Sequence, residues 1–180
     1  MSERSGNTRL FWGTALIVVV LDHLTKWWAV NALQPPHIPH EVWGNFLRFT
    51  LAFNRGAAFS MSVGEYSRFV FAAFAIVACV ILYRMFRASP GGDRLRVLAL
   101  ALAFGGASGN LIDRFLPRGA VVDFIDIGIG SVRFWTFNIA DTAVTFGAIM
   151  LAMVLWKEDT AAEAEPEPKP PRVTVDGEAA

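Results

Sequence analysis

Four runs of mostly apolar residues, at 10–30, 67–87, 94–113 and 137–156, leave the chain few ways to fold. About 20 such residues wound as an α-helix match the hydrocarbon thickness of a bilayer. Inside a bilayer no water satisfies backbone N–H and C=O groups, so each run must satisfy its own as a helix. The second run is the cleanest, with no charge between 69 and 83. Composition agrees: 54% of the chain is hydrophobic, 18% is charged and mean hydropathy is +0.42, too apolar for an ordinary soluble domain. The expected fold class is an all-α membrane protein with minor β: four transmembrane helices plus a small extracytoplasmic β-sheet. The first run could be read as a signal peptide, but no small-residue cleavage site follows it. It continues into Trp27, Trp28 and Val30, and Trp suits the membrane–water interface, so it is read as a permanent helix.

Formal net charge is zero, which points to no nucleic-acid partner. The distribution says more. The 84–96 connection carries Arg84, Arg87, Arg94 and Arg96 against Asp93, and the N-terminus adds Arg4 and Arg9. By the positive-inside rule, both termini and this connection are cytoplasmic. The 31–66 and 114–136 segments then face outward, although they also hold Arg48, Arg55, Arg114, Arg118 and Arg133. The expected layout is a cytoplasmic N-terminus at 1–9, a membrane domain at 10–156 with an outer β segment at about 41–60, and a disordered cytoplasmic tail at 157–180. That tail is rich in Pro, Glu and Ala and has no apolar periodicity. Cys79 is the sole cysteine, so no internal disulfide forms, and it reads as a small buried apolar side chain.

The segment EVWGNFLRFTLAFN at 41–54 alternates. Leu47, Phe49, Leu51 and Phe53 point one way, and Arg48, Thr50, Ala52 and Asn54 the other. Period two predicts a half-buried strand. NRGAAFS follows, and Gly56 among small residues predicts a tight turn. A second outer strand is expected in SVRFWTF at 131–137. In the third run, Gly105 and Gly109 form a G-x-x-x-G, read chiefly as a close helix contact.

The polar residues gather toward the outer side: Asp22, Lys26, Asn54, Asn110, Asp113, Arg114, Asp123, Asp126, Asn138 and Asp141. An Asp at a helix centre in a bilayer costs about 2.5–3.5 kcal/mol, so such residues are functional candidates. Asp22 and Lys26 are an i, i+4 pair, either a structural ion pair or one that orders a site. Lys26 is the only lysine before residue 157. Asn110, Asp113 and Arg114 share one helix face; Asp113–Arg114 reads equally as a helix-end salt bridge or as part of a site. Asn110 lies deeper and needs a polar partner. Asp123 is crowded by apolar neighbours, which raises its pKa by desolvation; Asp126, three residues on, is the other candidate in that stretch. Asp141 lies near a helix N-terminus, where a negative charge gains roughly 0.3–1 kcal/mol. Asn138, three residues earlier, shares its face or forms part of a cap. Two carboxylates about 3 Å apart hold one proton between them. The charged one takes a proton from water while the protonated one donates to a carbonyl oxygen, which hydrolyses a peptide bond with no metal, cofactor or covalent intermediate.

NRGAAFS (54–60), GGASGNLIDR (105–114), VVDFIDI (121–127) and FNIADT (137–142), together with LDHLTK (21–26), resemble the motifs of the lipoprotein signal peptidases, or type II signal peptidases. The resemblance covers roughly residues 10–156. It implies a bacterial inner-membrane aspartic peptidase that cleaves a prolipoprotein just before a cysteine bearing diacylglycerol, with its active site at the outer, periplasmic face. The family's catalytic aspartates fall on Asp123 and Asp141. Its other motif residues fall on Asn54 and Gly56, on Asn110, Asp113 and Arg114, and on Asn138. The implied partners are a prolipoprotein with a lipidated cysteine and membrane lipids, with no obligate protein partner. Ser60 stands where the family often has glycine, and the Pro/Glu tail is extra.

Rival readings rest on less. GASG (106–109) matches a rhomboid-like serine protease pattern around Ser108, but no histidine follows His40, and His23 would have to serve. A Ser–Lys peptidase would use Lys26 with Ser60 or Ser62. A metallopeptidase lacks H-E-x-x-H, and PHIPH (36–40) reads as a loop. An ion-coupled transporter or scaffold would also hold intramembrane charges, but no inverted repeat is visible.

Overall fold

In the computed structural model, the described residues are 2–56 and 66–164. Ser60, Ser62 and most of the NRGAAFS turn lie outside them, as does the tail beyond 164. Each apolar run forms a helix: α1 (Ser2–Ala32), α2 (Ser67–Ala88), α3 (Arg94–Phe115) and α4 (Ile139–Ala164). All four are long and apolar enough to cross a membrane. Strands β1 (Pro39–Trp43) and β2 (Leu47–Asn54) follow α1; β3 (Val121–Ile129) and β4 (Val132–Arg133) separate α3 from α4.

The centre of the bundle is α3, which packs on α1, α2 and α4. Its buried side is built from small residues, Ala99, Ala101, Ala103, Gly105, Gly106 and Gly109 among them. Lipid offers no hydrophobic drive between helices, so close backbone approach through small residues supplies the packing. A Cβ on Gly105 would lie 3.0 Å from the Ala15 carbonyl oxygen of α1. One on Gly147 of α4 would lie 2.6 Å from the Ala99 carbonyl oxygen. Gly109 departs from the expected helix contact: its missing Cβ makes room for the Asp22 carboxylate, with Oδ2 2.7 Å from where that atom would sit. The outward surface stays apolar, with Leu16 and Ile17 on α1, Phe74 and Val77 on α2, and Phe146 and Ile149 on α4 all exposed.

One end of the bundle gathers both outer helix ends and the α2–α3 connection. Asn7 Nδ2 donates to the Pro90 carbonyl oxygen at 3.2 Å, and Arg96 joins Asp93 to Glu158. Phe11 stacks on Phe86 there, with centroids 4.0 Å apart. The opposite end carries the sheet.

That sheet is antiparallel, in the order β1-β2-β3-β4. It corrects the sequence reading in three places. The 41–54 segment is two strands rather than one, turned at Gly44, where φ is +48°. In 131–137 only Val132–Arg133 is strand. The principal partner of β2 is β3, which carries VVDFIDIGI and was not expected as a strand. Residues 121–124 are all buried, so no alternation marks them. A fourth correction concerns the tail: α4 runs past Trp156 to Ala164, because KEDTAAEA is made largely of good helix formers. Ala29 of α1 and Leu33 just beyond its end pack with Leu51, Val122 and Phe124, seating the sheet on the bundle.

Gly147→Ala should destabilise the protein by about 1–3 kcal/mol through overpacking against α3. Gly13→Ala meets nothing within 4 Å and should be neutral or slightly stabilising. Thermal unfolding of both variants in detergent checks the contrast.

Candidate active site

Asp123 and Asp141 come from different elements, and the chain between them explains how both reach Asn138. Phe137, just before α4, is pinned to β3: its N–H donates to the Ile125 carbonyl oxygen at 3.0 Å, and its own carbonyl accepts from Ile125 N–H at 2.8 Å. That fixes the next residue, Asn138, beside Asp123. Asn138 Nδ2 donates to Asp123 Oδ1 at 2.7 Å and to the Val122 carbonyl oxygen at 3.3 Å. The Asn54 side chain also bonds Asp123.

Asn138 is at the same time the cap of α4. Its Oδ1 accepts from Asp141 N–H at 2.9 Å, and Asp141 Oδ2 accepts from Asn138 N–H at 3.2 Å. This reciprocal arrangement is a capping box, with an asparagine and an aspartate in the usual Ser/Thr and Glu roles. A third N–H of this helix end, that of Ala140, donates to Asp22 Oδ1 at 2.9 Å. The other oxygen of Asp141, Oδ1, accepts from Asn110 Nδ2 at 2.7 Å. The two readings of Asn138 and Asp141, shared face and cap, therefore both hold.

Behind this pair sits an ion cluster. Lys26 is 3% exposed and Asp22 is fully buried. Lys26 Nζ lies 2.6 Å from Asp22 Oδ2, 2.8 Å from Asp113 Oδ2 and 2.9 Å from Asn110 Oδ1. A buried lysine is tolerable only with such complete pairing. Asp113 thus pairs with Lys26 of α1 and not with Arg114, which corrects the helix-end salt bridge. Asp113 also accepts from Val122 N–H at 3.3 Å, tying α3 to β3. Arg114 turns back to the Asn110 carbonyl oxygen at 2.7 Å, and its guanidinium lies 5.8 Å from the Phe71 ring centroid. Its Nε is buried without a hydrogen-bond partner among the described residues. Gly56 has φ +118°, and a side chain there would run into Phe71 and Ser67 of α2. Its N–H donates to Asn54 Oδ1 at 2.9 Å, so the glycine also orients Asn54. Of the polar candidates read from the sequence, all but Asp126 stand in this one neighbourhood.

Asp126 is elsewhere. Three residues from Asp123 on a strand puts it on the opposite face. Arg48, its register partner on β2, meets it at 3.0 Å; Arg133 of β4 meets it at 2.8 Å, and Thr50 donates to it at 3.0 Å. This cluster was not legible beforehand, because no signal short of the β2–β3 register brings Arg48 to Asp126. Burial works to raise the Asp126 pKa, but hydrogen bonds from Arg133, Thr50 and Arg48 outweigh it and hold the group below the usual carboxylate range. Asp123 behaves in the opposite way. Burial first, then the negative charge of Asp141, push its pKa up to about 7, against the pull of Asn54, Asn138 and Lys26. Ser108 has Cys79 Sγ at 3.7 Å as its hydrogen-bond partner and no histidine, which leaves the serine-protease reading without a base among the described residues.

Four membrane-length helices and a small sheet gather buried carboxylates at one end, the layout of a membrane protein with a polar site. A solved bacterial membrane enzyme superposes with a TM-score of 0.74 at 35% identity, covering 87% of this chain and 92% of that one. The family described as signal peptidase (SPase) II matches residues 14–157, and the chain belongs to that family. It is similar to the lipoprotein signal peptidase of Paraburkholderia phytofirmans, 39% identical over 84% of this chain and 87% of that protein. It is also similar to that of Hydrogenovibrio crunogenus, 42% identical over 76% of this chain and 79% of that protein.

Because the folded pKa of Asp123 exceeds its ordinary value of 3.8, the folded state binds the extra proton between pH 3.8 and about 7. Stability linked to this group is fullest below that window and is lost as pH rises through about 7. Asp123→Asn should flatten this dependence and raise the apparent melting temperature relative to wild type at pH 8. Melting curves of both proteins across the range check it; parallel curves would contradict the assignment.

Proposed function

We propose that this chain is a membrane aspartic endopeptidase that removes the signal peptide from diacylglyceryl-modified prolipoproteins, using Asp123 and Asp141 on a water molecule. The observation that carries the reading is Asn138, which bonds Asp123 through its side chain and Asp141 through its backbone. One residue thus gathers an acid from β3 and an acid from α4. Asp123, the more deeply buried of the two and with its pKa pushed up to about 7, is assigned the proton. Asp141, accepting on both oxygens, is the base.

In this scheme Asp141 takes a proton from water as the oxygen attacks the scissile carbonyl carbon, and Asp123 gives its proton to the carbonyl oxygen. The tetrahedral diol then collapses. Asp141 passes its proton to the leaving nitrogen, the C–N bond breaks, and Asp123 recovers a proton from the diol hydroxyl. Both groups return to their starting state. Asn54, Gly56, Asn110, Asp113, Arg114, Asn138, Asp22 and Lys26 support the pair. Arg114, whose buried Nε has no partner among the described residues, is the group best suited to hold substrate.

The bond cut is the one before the lipidated cysteine, and the apolar outer faces of the helices suit the lipid chain and the signal helix. The protein is assigned to the bacterial inner membrane as a multi-pass enzyme. Arg84, Arg87, Arg94 and Arg96, gathered at the end opposite the sheet, support cytoplasmic termini and a site at the periplasmic face. No cofactor, metal or obligate protein partner enters the scheme.

Asp123→Asn and Asp141→Asn should each lower turnover of a lipidated precursor by about 10³-fold or more, as loss of a positioned acid or base does. Near-normal turnover by either variant would reassign the pair. Wild-type kcat/KM should fall as pH rises through about 7, when Asp123 gives up its proton. A chelator should leave the rate unchanged, and inhibition reversed by added zinc would overturn the metal-free scheme. Removal of residues 160–180 should be tolerated, checked by the same cleavage assay.

A further inference from the structure

We infer that Lys26 is a positioning residue for the reaction: it fixes the side-chain amide of Asn110 so that the N–H end, and not the oxygen, faces Asp141. This rests on the assignment of Asp123 and Asp141 as the acid–base pair. An ammonium carries three donors and no acceptor. With Lys26 Nζ 2.9 Å from the Asn110 side chain, the amide oxygen must face the lysine. The amide nitrogen then points to Asp141 Oδ1 at 2.7 Å. Asn138 Nδ2 donates to the same amide oxygen at 3.2 Å and reinforces the choice. Without the ammonium, rotation of the amide by half a turn would place its oxygen against a carboxylate oxygen and leave Asp141 short of a donor.

The lysine is itself held in place. Asp22 and Asp113 occupy its other hydrogen-bonding directions, and the bond from Ala140 N–H to Asp22 ties the cluster to the first turn of the helix that carries Asp141. The charged groups facing this point are therefore Asp22 and Lys26 from α1, Asp113 and Arg114 from α3, Asp123 from β3 and Asp141 from α4. Lys26 is hydrogen-bonded to neither Asp123 nor Asp141; its charge acts on both through space, and its positioning effect passes through Asn110.

A double-mutant cycle on the full-length enzyme in detergent tests this, with a synthetic precursor peptide carrying diacylglyceryl-cysteine as probe. The variants are Lys26→Met, Asn110→Ala and their combination. Lys26→Met alone leaves two buried carboxylates unpaired, so the cycle is also run with Asp22→Asn/Lys26→Met/Asp113→Asn. That combination keeps an oxygen for Ala140 N–H and another for Val122 N–H while stranding no charge. Loss of the lysine should lower kcat about tenfold with KM nearly unchanged, and on the Asn110→Ala background the further loss should be under about twofold, the mark of coupled residues. Losses that multiply, or a change confined to KM, would overturn the inference. Asp141→Asn is run beside them. If it is inactive while the losses multiply, the inference fails alone; if it cleaves at near the wild-type rate, the acid–base assignment fails and the role of Lys26 with it.

Discussion

Asp22, Asp113 and Asp123 are shut away from water at one end of an apolar bundle, Asp141 is half-buried beside them, and each had to be given donors. An unpaired carboxylate in such a place costs several kcal/mol. The donors come from other elements. Lys26 of α1 reaches Asp113 of α3. Ala140 N–H of α4 reaches Asp22 of α1. Val122 N–H of β3 reaches Asp113, and Asn138 at the head of α4 reaches Asp123 of β3. Each of these four bonds joins two parts of the chain, so site geometry and helix placement are set by the same contacts. The small residues of α3 make this possible, because Gly109 leaves the space that the Asp22 carboxylate fills.

The sheet contributes less by its own stability than by where it holds the chain. A short antiparallel sheet alone is marginal. Here it rests on α1 through Leu51, Val122 and Phe124. Its use to the site lies in the pairing of Ile125 with Phe137, which brings the start of α4 to β3. One residue further, Asn138 meets both an acid on the strand and an acid on the helix.

The helices were legible in the sequence because they are read against the cost of polar groups in a bilayer; the choice of Asp123 over Asp126, and its pairing with Asp141, came from the resemblance to a family. Length and apolarity place 67–87 in a helix without any knowledge of its neighbours. Asp123 and Asp141 stand out because a carboxylate there needs a reason. What could not be read depended on pairing. β3 shows no alternation, because residues 121–124 are buried on both sides. The division between β1 and β2 turns on the backbone at Gly44, inside what reads as one alternating segment. The partner of Asp113 was misplaced because Arg114 is its neighbour in sequence, while Lys26 is its neighbour in space. Adjacent residues on a helix do not face each other, and the i, i+4 spacing of Asp22 and Lys26 was the firmer guide.

Asp123 and Asp126 separate two ways of burying an acid. They lie three residues apart on one strand, and burial works to raise the pKa of both. Asp126 is met by the guanidinium groups of Arg48 and Arg133, whose fixed charges hold it ionised. Asp123 is met by the side chains of Asn54 and Asn138, which satisfy its oxygens without supplying a full opposing charge. An amide can bond a carboxyl group in either protonation state at modest cost, whereas a guanidinium commits it to one. A site whose acid must give up a proton and recover it within each cycle is therefore better lined with asparagines than with arginines. Around Asp123 and Asp141 the donors include the amides of Asn54, Asn110 and Asn138, whereas two arginines hold Asp126 and make it a link between strands.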